Sequence, residues 1–230
     1  MRETTKVLIV CTNHSQYPHK SHKTGLWLSE LTHFVEIMEK RGFAYDLVSP
    51  KGGEVPIDEK SLDLKDTTNR KYYENPDFRL RLADTLRPDQ VKSGDYGIIY
   101  FAGGHGTMWD FPENTELQTL TRQIYENGGM VAAVCHGVAA LLNVQLSDGT
   151  YLIEDKRVTG FSNIEERLVG LADEVPFSLE DQLVKRKAEY HKALIPFTRY
   201  IEVGERLVTG QNPQSTQKVA VKVLEEMFEK

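Results

Sequence analysis

The stretch Gly128-Gly129-Met130-Val131-Ala132-Ala133-Val134-Cys135-His136-Gly137 places a turn, an apolar run and two reactive side chains in direct succession. An apolar run of this length is typical of a strand that is buried on both faces of a parallel sheet. Small residues flank Cys135 at Ala133 and Gly137, as a sharp strand-to-helix corner requires. The pattern predicts a nucleophile elbow at the carboxyl edge of the sheet, followed by a helix over residues 137–144.

Buried strands and amphipathic helices alternate on both sides of this stretch. Apolar runs at residues 7–11, 43–48 and 96–102 predict strands, residues 25–41 carry apolar side chains at helical spacing, and residues 198–209 predict a hairpin. The β-α-β opening predicts parallel pairing with right-handed crossovers. We therefore expect an α/β fold with an open, doubly wound, mostly parallel sheet of about six strands, flavodoxin-like or class I glutamine amidotransferase-like.

Residues 50–95 interrupt this alternation, since they are rich in charged residues and turn formers. We interpret the segment as a small inserted cap, or edge segment, on a single domain that spans residues 1–230. The length of 230 residues suits one domain with a sizeable core.

The composition excludes several classes of protein. The chain has 28 basic and 34 acidic residues and a net charge of −6, so no nucleic acid or membrane partner is indicated. No apolar run approaches the roughly 20 residues that span a bilayer. Residues 1–6 show no signal-peptide pattern, and two cysteines cannot form a disulfide framework. We expect a cytoplasmic protein.

The two cysteines stand in different contexts. A helix N-terminus after Cys135 favours the thiolate and lowers its pKa, and His136 is an adjacent proton acceptor. The alternative, an inert cysteine that packs like a small hydrophobe, suits Cys11 better. Cys11 ends an apolar strand without an elbow or an adjacent base.

Glu30 lies inside the apolar arc of the helix predicted over residues 25–41, close to Ile37. A carboxylate on a buried stripe must be paired or have a raised pKa. A raised pKa is what a proton carrier needs near neutral pH. The alternative is a glutamate at the helix edge that extends outward to water.

Two neighbouring glutamates follow the strand that the sequence predicts near Arg157. Ser162-Asn163-Ile164-Glu165 fits a capping box, so Glu165 is expected to fold back on the helix terminus. Glu166 is then the free carboxylate, although the residues alone leave the choice between the two open. The alternative for Glu166 is a solvated acid at a helix start.

The turn Gly103-Gly104-His105-Gly106 follows a buried strand, and its glycines allow backbone N–H groups to approach a ligand. No Lys-Ser/Thr pair follows it and no dinucleotide fingerprint is present, so we predict no nucleotide cofactor. Three histidines, His14, His19 and His22, lie in the loop after the first strand. A metal there is the alternative to solvated side chains, and we predict no metal.

Two of these segments, Ala132 to Gly137 and Ala102 to Thr107, resemble the nucleophile and glycine-turn motifs of the DJ-1/PfpI superfamily. More narrowly, the chain resembles its Hsp31-like branch, the glutathione-independent glyoxalases (glyoxalase III). Further matching motifs, in order along nearly the whole chain, are Lys23-Thr24-Gly25 with Glu30, Trp109-Asp110-Phe111-Pro112, Val158-Thr159-Gly160-Phe161 and Val208-Thr209-Gly210-Gln211-Asn212-Pro213.

The resemblance implies roles for the residues of the site. It implies that Glu30 lies beside Cys135 and shares a proton with it. Glu166 aligns with the third member of the family's catalytic triad and would orient His136. Contributions to an oxyanion hole or to substrate binding are implied for Gly104, His105 and Gly137.

The function that this resemblance favours is cysteine-dependent conversion of methylglyoxal, or a related 2-oxoaldehyde, to a 2-hydroxy acid (lactate) without glutathione. Such an enzyme is a glyoxalase III, a lyase similar to D-lactate dehydratase. One alternative is a cysteine hydrolase of the same superfamily, a peptidase, deglycase or amidase. Another is a stress-related molecular chaperone. The resemblance also implies a homodimer and no cofactor.

Overall fold

The apolar runs of the sequence form the strands of a six-stranded sheet in the computed structural model, which describes residues 6–228. In spatial order these strands are β2 (Tyr45–Val48), β1 (Lys6–Val10), β3 (Tyr96–Phe101), β4 (Met130–Val134), β8 (Leu207–Gly210) and β7 (Ile201–Gly204). The first five run parallel and β7 pairs antiparallel with β8. The predicted open, mostly parallel sheet is therefore confirmed. The expectation that residues 1–6 carry no signal peptide concerns mainly residues 1–5, which lie outside the described range.

Helices bury the apolar side chains of both faces of the sheet. One core contains side chains of α1 (Leu28–Lys40) and α8 (Thr216–Phe228). The other contains side chains of α5 (Thr115–Glu126), the 3-10 helix Cys135–Leu141 and α7 (Leu179–Lys185). Helices therefore cover both faces of the sheet. The carboxyl ends of its parallel strands are then the edge at which ligands bind in folds of this kind.

The remaining elements are short. They are α2 (Thr67–Tyr73), α3 (Pro76–Ala83), α4 (Thr107–Asp110), α6 (Asn163–Leu168), the paired strands β5 (Arg157–Val158) and β6 (Glu189–Tyr190), and 3-10 helices at Glu59–Ser61, Pro88–Gln90, Ser93–Asp95 and Pro213–Ser215. None of the helices described within residues 6–228 is long and apolar enough to cross a membrane.

Residues 50–95 contain α2 and α3 and pack against α1. His33 of α1 contacts Asp66 at 2.9 Å, and the Tyr72 hydroxyl donates a hydrogen bond to Glu39 at 2.6 Å. These contacts hold the segment beside the helix that carries Glu30. The description of this segment as a cap on a single domain stays a prediction.

Two helix boundaries differ from the sequence-based expectation. Helix α1 begins at Leu28 rather than at residue 25, because the backbone of Trp27 is extended, with ψ 109°. The Leu26 and Trp27 N–H groups donate to the Pro56 and Gly103 carbonyls. The helix after the elbow is a 3-10 helix that starts at Cys135 itself and ends at Leu141, not a helix over residues 137–144. It is short, so its dipole is a weaker influence on Cys135 than the sequence suggested.

Phe34 anchors α1 to the sheet and provides a test of this packing. It is fully buried, and its ring stacks on Tyr100 with centroids 3.6 Å apart. We expect Phe34→Ala to lower the free energy of unfolding in urea by about 3–5 kcal/mol, because a large cavity opens beneath α1. Leu80→Ala is the control, since Leu80 is 67% exposed on α3. Equal effects of the two substitutions would contradict this account of the core.

Candidate active site

The elbow residue has an unusual backbone conformation. Cys135 has φ +57°, in the left-handed region that a residue with a Cβ rarely adopts. The strain is held by the buried strand β4 on one side and the 3-10 helix on the other, and such strain is concentrated at functional sites. The Cys135 side chain is only 3% exposed. This is the sharp strand-to-helix corner that the sequence predicts. Cys11 is fully buried in the core, as expected.

Glu30, in the first turn of α1, is fully buried next to this corner. Its Oε2 accepts a hydrogen bond from the Gly103 N–H at 2.6 Å. A Cβ on Gly103 would collide with that oxygen and with the Val134 carbonyl, so only glycine permits the approach. Oε1 is buried without a well-aligned partner within residues 6–228, although the carboxyl still interacts with the Cys135 thiol. The alternative of an outward-pointing glutamate is wrong.

The electrostatics of Glu30 and Cys135 are coupled. Burial raises the pKa of Glu30 to about 8, against the opposing effects of the thiol and the Gly103 N–H. Burial and the Glu30 charge raise the pKa of Cys135 well above its ordinary value, and the His136 N–H only partly opposes them. The prediction of a lowered thiol pKa from the helix N-terminus is therefore wrong, because burial is the largest influence on the Cys135 pKa and raises it. Because burial disfavours two adjacent negative charges, the groups titrate as a coupled pair that keeps at least one proton near neutral pH.

His136 connects the thiol to a carboxylate. Its Nδ1 lies 3.3 Å from the Cys135 Sγ, and its Nε2 lies 2.6 Å from Glu166 Oε2. Glu165 points elsewhere: it completes the capping box with Ser162. The structure thus separates the two glutamates, and Glu166 is the one that contacts the histidine.

Glu165 instead fixes the loops near the site. Its Oε1 accepts hydrogen bonds from the Phe197 N–H at 2.8 Å and from the Asn212 side chain at 2.9 Å. These bonds join α6 to the loop before β7 and to the loop after β8. Its contacts are therefore structural ones.

A second histidine shares Glu166, a contact that no local pattern in the sequence predicts. The Nε2 of His105 lies 2.8 Å from Glu166 Oε1, and its ring centroid lies 4.0 Å from that of His136. Burial raises the pKa of Glu166, but the two histidines outweigh burial and hold that pKa well below its usual range. An ionised carboxylate only accepts hydrogen bonds, so each histidine carries a hydrogen on Nε2.

The glycine turn presents two unused donors. Within the described residues the buried N–H groups of Gly104 and His105 donate to no partner, which is rare for buried backbone. A Cβ on Gly104, whose φ is +106°, would collide with the Gly25 carbonyl. Gly137 lies in the 3-10 helix, where a Cβ would meet the Phe101 carbonyl. The roles predicted for these three residues in oxyanion or substrate binding stay predictions.

Aromatic side chains that the sequence did not single out surround the two histidines. The ring centroids of Phe161 and His136 lie 4.4 Å apart. The Tyr17 ring contacts the His105 ring edge-on, with centroids 5.8 Å apart. Burial raises the pKa of Tyr17, and the charges of Asp58, Glu166 and Cys135 add to that effect. No local motif marks Tyr17, because a loop brings it to the site.

His14, His19 and His22 lie in the loop after β1, where a metal was the alternative to solvated side chains. His14 bonds the Gln16 carbonyl at 2.6 Å and stacks on Trp109, whereas His19 lies 3.7 Å from Glu174. In the described part of the chain, the grouping with donor atoms close enough for a metal is instead His105, His136 and Glu166, all within 4.8 Å. Hydrogen bonds already join these three side chains.

Comparison with known proteins agrees with this geometry. The model of the DJ-1/PfpI family matches residues 23–226. The glutathione-independent glyoxalase HSP31 of Saccharomyces cerevisiae is 34% identical over 230 residues, which cover 96% of this chain and 97% of that protein. The X-ray structure of Rapid Encystment Protein 24 kDa from Francisella tularensis has a TM-score of 0.94 and 42% identity, over 98% of this chain and 100% of that one. The glyoxalase III structure from Candida albicans has a TM-score of 0.89 and 29% identity, over 96% and 97%.

The raised pKa of Glu30 predicts how stability depends on pH. The folded protein binds this proton more tightly than the unfolded chain, so stability falls as pH rises from 4.5 through about 8. Cys135→Ser keeps a hydroxyl beside the carboxyl but removes the ionisable thiol. We expect the free energy of unfolding of Cys135→Ser to fall across this window by up to about 1.4 kcal/mol per pH unit.

The control is the double variant Cys135→Ser/Glu30→Gln, in which other titrating groups are unchanged. The measurement is the difference between the two variants in urea unfolding at each pH. A difference that stays constant from pH 4.5 to about 8 would show that Glu30 is ionised throughout, against the burial argument.

Proposed function

The chain belongs to the DJ-1/PfpI family, and from this membership we propose that it converts methylglyoxal or a related 2-oxoaldehyde to a 2-hydroxy acid without glutathione. Similarity over almost the full length to glutathione-independent glyoxalases supports an enzyme that acts on a small aldehyde. The observation that carries the proposal is the fully buried Glu30 carboxyl beside the Cys135 thiol. When Glu30 is ionised, transfer of the thiol proton to its carboxylate gives the Cys135 thiolate, the form that attacks an aldehyde.

The first half of the reaction forms a bond between Cys135 and the substrate. The thiolate adds to the aldehyde carbon, and the new oxyanion takes the proton from Glu30 to give a hemithioacetal. The free N–H groups of Gly104 and His105 are suitable donors for that oxyanion. Glu30 is then a carboxylate in a buried site, which makes it a base for the next step.

The second half moves a hydrogen from carbon to carbon and then adds water. Glu30 removes the C–H proton of the hemithioacetal to form an enediol, and a proton returns to the neighbouring carbon to give a thioester. His136 is held by Glu166 through Nε2, and its Nδ1 gives and takes protons next to the Cys135 sulfur. Water then adds to the thioester, the C–S bond breaks, and lactate and the Cys135 thiolate separate.

A cysteine hydrolase is the second candidate, because the same Cys135, His136 and Glu166 arrangement suits acyl transfer. An amide or peptide substrate would form the thioester directly, without an enediol. Amide hydrolysis with no lactate from methylglyoxal would favour it. If the Cys135→Ala protein suppressed the aggregation of other proteins, the result would instead favour a molecular chaperone.

We also propose a homodimer in the cytoplasm, where a free thiol persists. Leu194 is fully exposed and Ile195 is 67% exposed in the loop before β7. Exposed apolar side chains of this kind suit an interface between protomers. Light scattering of the purified protein tests the dimer.

The proposal predicts the activity of three variants. We expect Cys135→Ser to produce no lactate from methylglyoxal without glutathione, because the nucleophile is lost. Glu30→Gln should lower kcat by at least about 10²-fold, since general acid–base contributions are about 10²–10⁴-fold. Glu166→Gln should lower kcat less, because an amide still orients a histidine. The measurement is lactate release, together with the melting temperature.

Two controls accompany these variants. Cys11→Ala removes the other thiol, which is buried in the core, and should retain activity. Glu165→Gln should mainly reduce the melting temperature, because Glu165 joins two loops. Wild-type kcat in a well-folded Glu30→Gln protein would refute the proton-carrier role.

A further inference from the structure

The two histidines beside Glu166 differ in which of their nitrogens are engaged. Both nitrogens of His136 have partners, Nδ1 with the Cys135 sulfur and Nε2 with Glu166. His105 uses Nε2 on Glu166, while its Nδ1 is buried without a partner in the part of the chain that the structure describes. A buried, unpaired ring nitrogen is costly, and such groups in folded proteins are often kept for a catalytic role.

The chemical state of that nitrogen follows from its neighbours. The ionised Glu166 accepts the Nε2–H of His105, so in the neutral ring Nδ1 carries a lone pair and no hydrogen. Burial and the nearby His136 charge lower the pKa of His105, which favours this neutral form. The free Nδ1 is thus a base at neutral pH.

The position of His105 allows it to meet water. His136 is fully buried, whereas His105 is 5% exposed and Cys135 3% exposed. The His105 ring lies against the His136 ring, and the Nδ1 of His136 contacts the Cys135 sulfur. His105 is therefore one imidazole ring away from that sulfur. The edge of the cluster that faces solvent is therefore formed by His105 and Cys135 and not by His136, and the His105 Nδ1 itself is buried just behind that edge.

We propose that His105 is a second general base, which takes a proton from the water that hydrolyses the Cys135 thioester. The inference rests on the proposed function, because it needs an acylated Cys135. Water gives its proton to Nδ1 and its oxygen adds to the thioester carbonyl. The C–S bond then breaks with its electron pair on sulfur, the carboxylic acid leaves, and Nδ1 returns its proton to solvent.

His105→Gln separates this role from mere support of Glu166. The glutamine side-chain NH₂ can replace Nε2–H as a donor to Glu166, but glutamine has no basic nitrogen. We expect thioester formation from methylglyoxal to keep a near-wild-type rate and thioester hydrolysis to slow by at least about 10²-fold. Intact-mass spectra during turnover should show Cys135 carrying one substrate equivalent. His105→Asn, which also lacks the base, is the second variant should His105→Gln fold poorly.

Hydroxylamine distinguishes a lost base from a damaged site. It attacks a thioester without general-base help, so it should restore turnover of His105→Gln and release the hydroxamate of the product. p-Nitrophenyl acetate acylates Cys135 without any glyoxalase step, so it tests the base even where methylglyoxal yields no lactate. A burst of p-nitrophenol followed by slow hydrolysis is expected with His105→Gln.

Two results would overturn the inference. One is an acetyl-Cys135 in His105→Gln that hydrolyses at the wild-type rate. The other is an equal loss of acylation and hydrolysis that hydroxylamine does not restore, which would mean that His105 only positions Glu166.

Discussion

The arrangement of the site depends on one buried interaction, the contact of the Glu30 carboxyl with the Gly103 N–H beside Cys135. A carboxyl that is fully removed from water either finds partners or keeps its proton, and Glu30 has one backbone donor and one thiol. This contact ties α1 to the turn after β3, and it requires glycine at position 103. It also couples the protonation of Glu30 to that of Cys135, so that each group influences the pKa of the other.

Glu166 organises the other side of the site. One carboxylate binds two imidazole rings that come from the ends of two neighbouring strands, His105 after β3 and His136 after β4. Its low pKa keeps it an acceptor, so the tautomers of both rings are fixed. The site therefore holds two kinds of ionisable group, a buried acid with a raised pKa and a pair of histidines on a carboxylate with a lowered pKa.

Several features of the site could be predicted because they leave local traces. Glu30 interrupts an apolar helical stripe, and the capping box marks Glu165 as structural, so Glu166 remained as the free acid. The elbow could be recognised from small residues around Cys135. The direction of the Cys135 pKa shift could not, because it depends on burial by the whole fold and on Glu30, which lies more than a hundred residues away in the chain.

The sequence by itself determined the parallel sheet, the elbow and the candidate carboxylates, because strand hydrophobicity, helical periodicity and turn glycines are local properties of the chain. Only the tertiary structure decided that the His105 side chain binds Glu166 and that Tyr17 and Phe161 surround the histidines. These contacts join side chains from loops and short helices that are far apart in the chain. Their distances depend on strand order and loop path, and no spacing within a single segment records either of them.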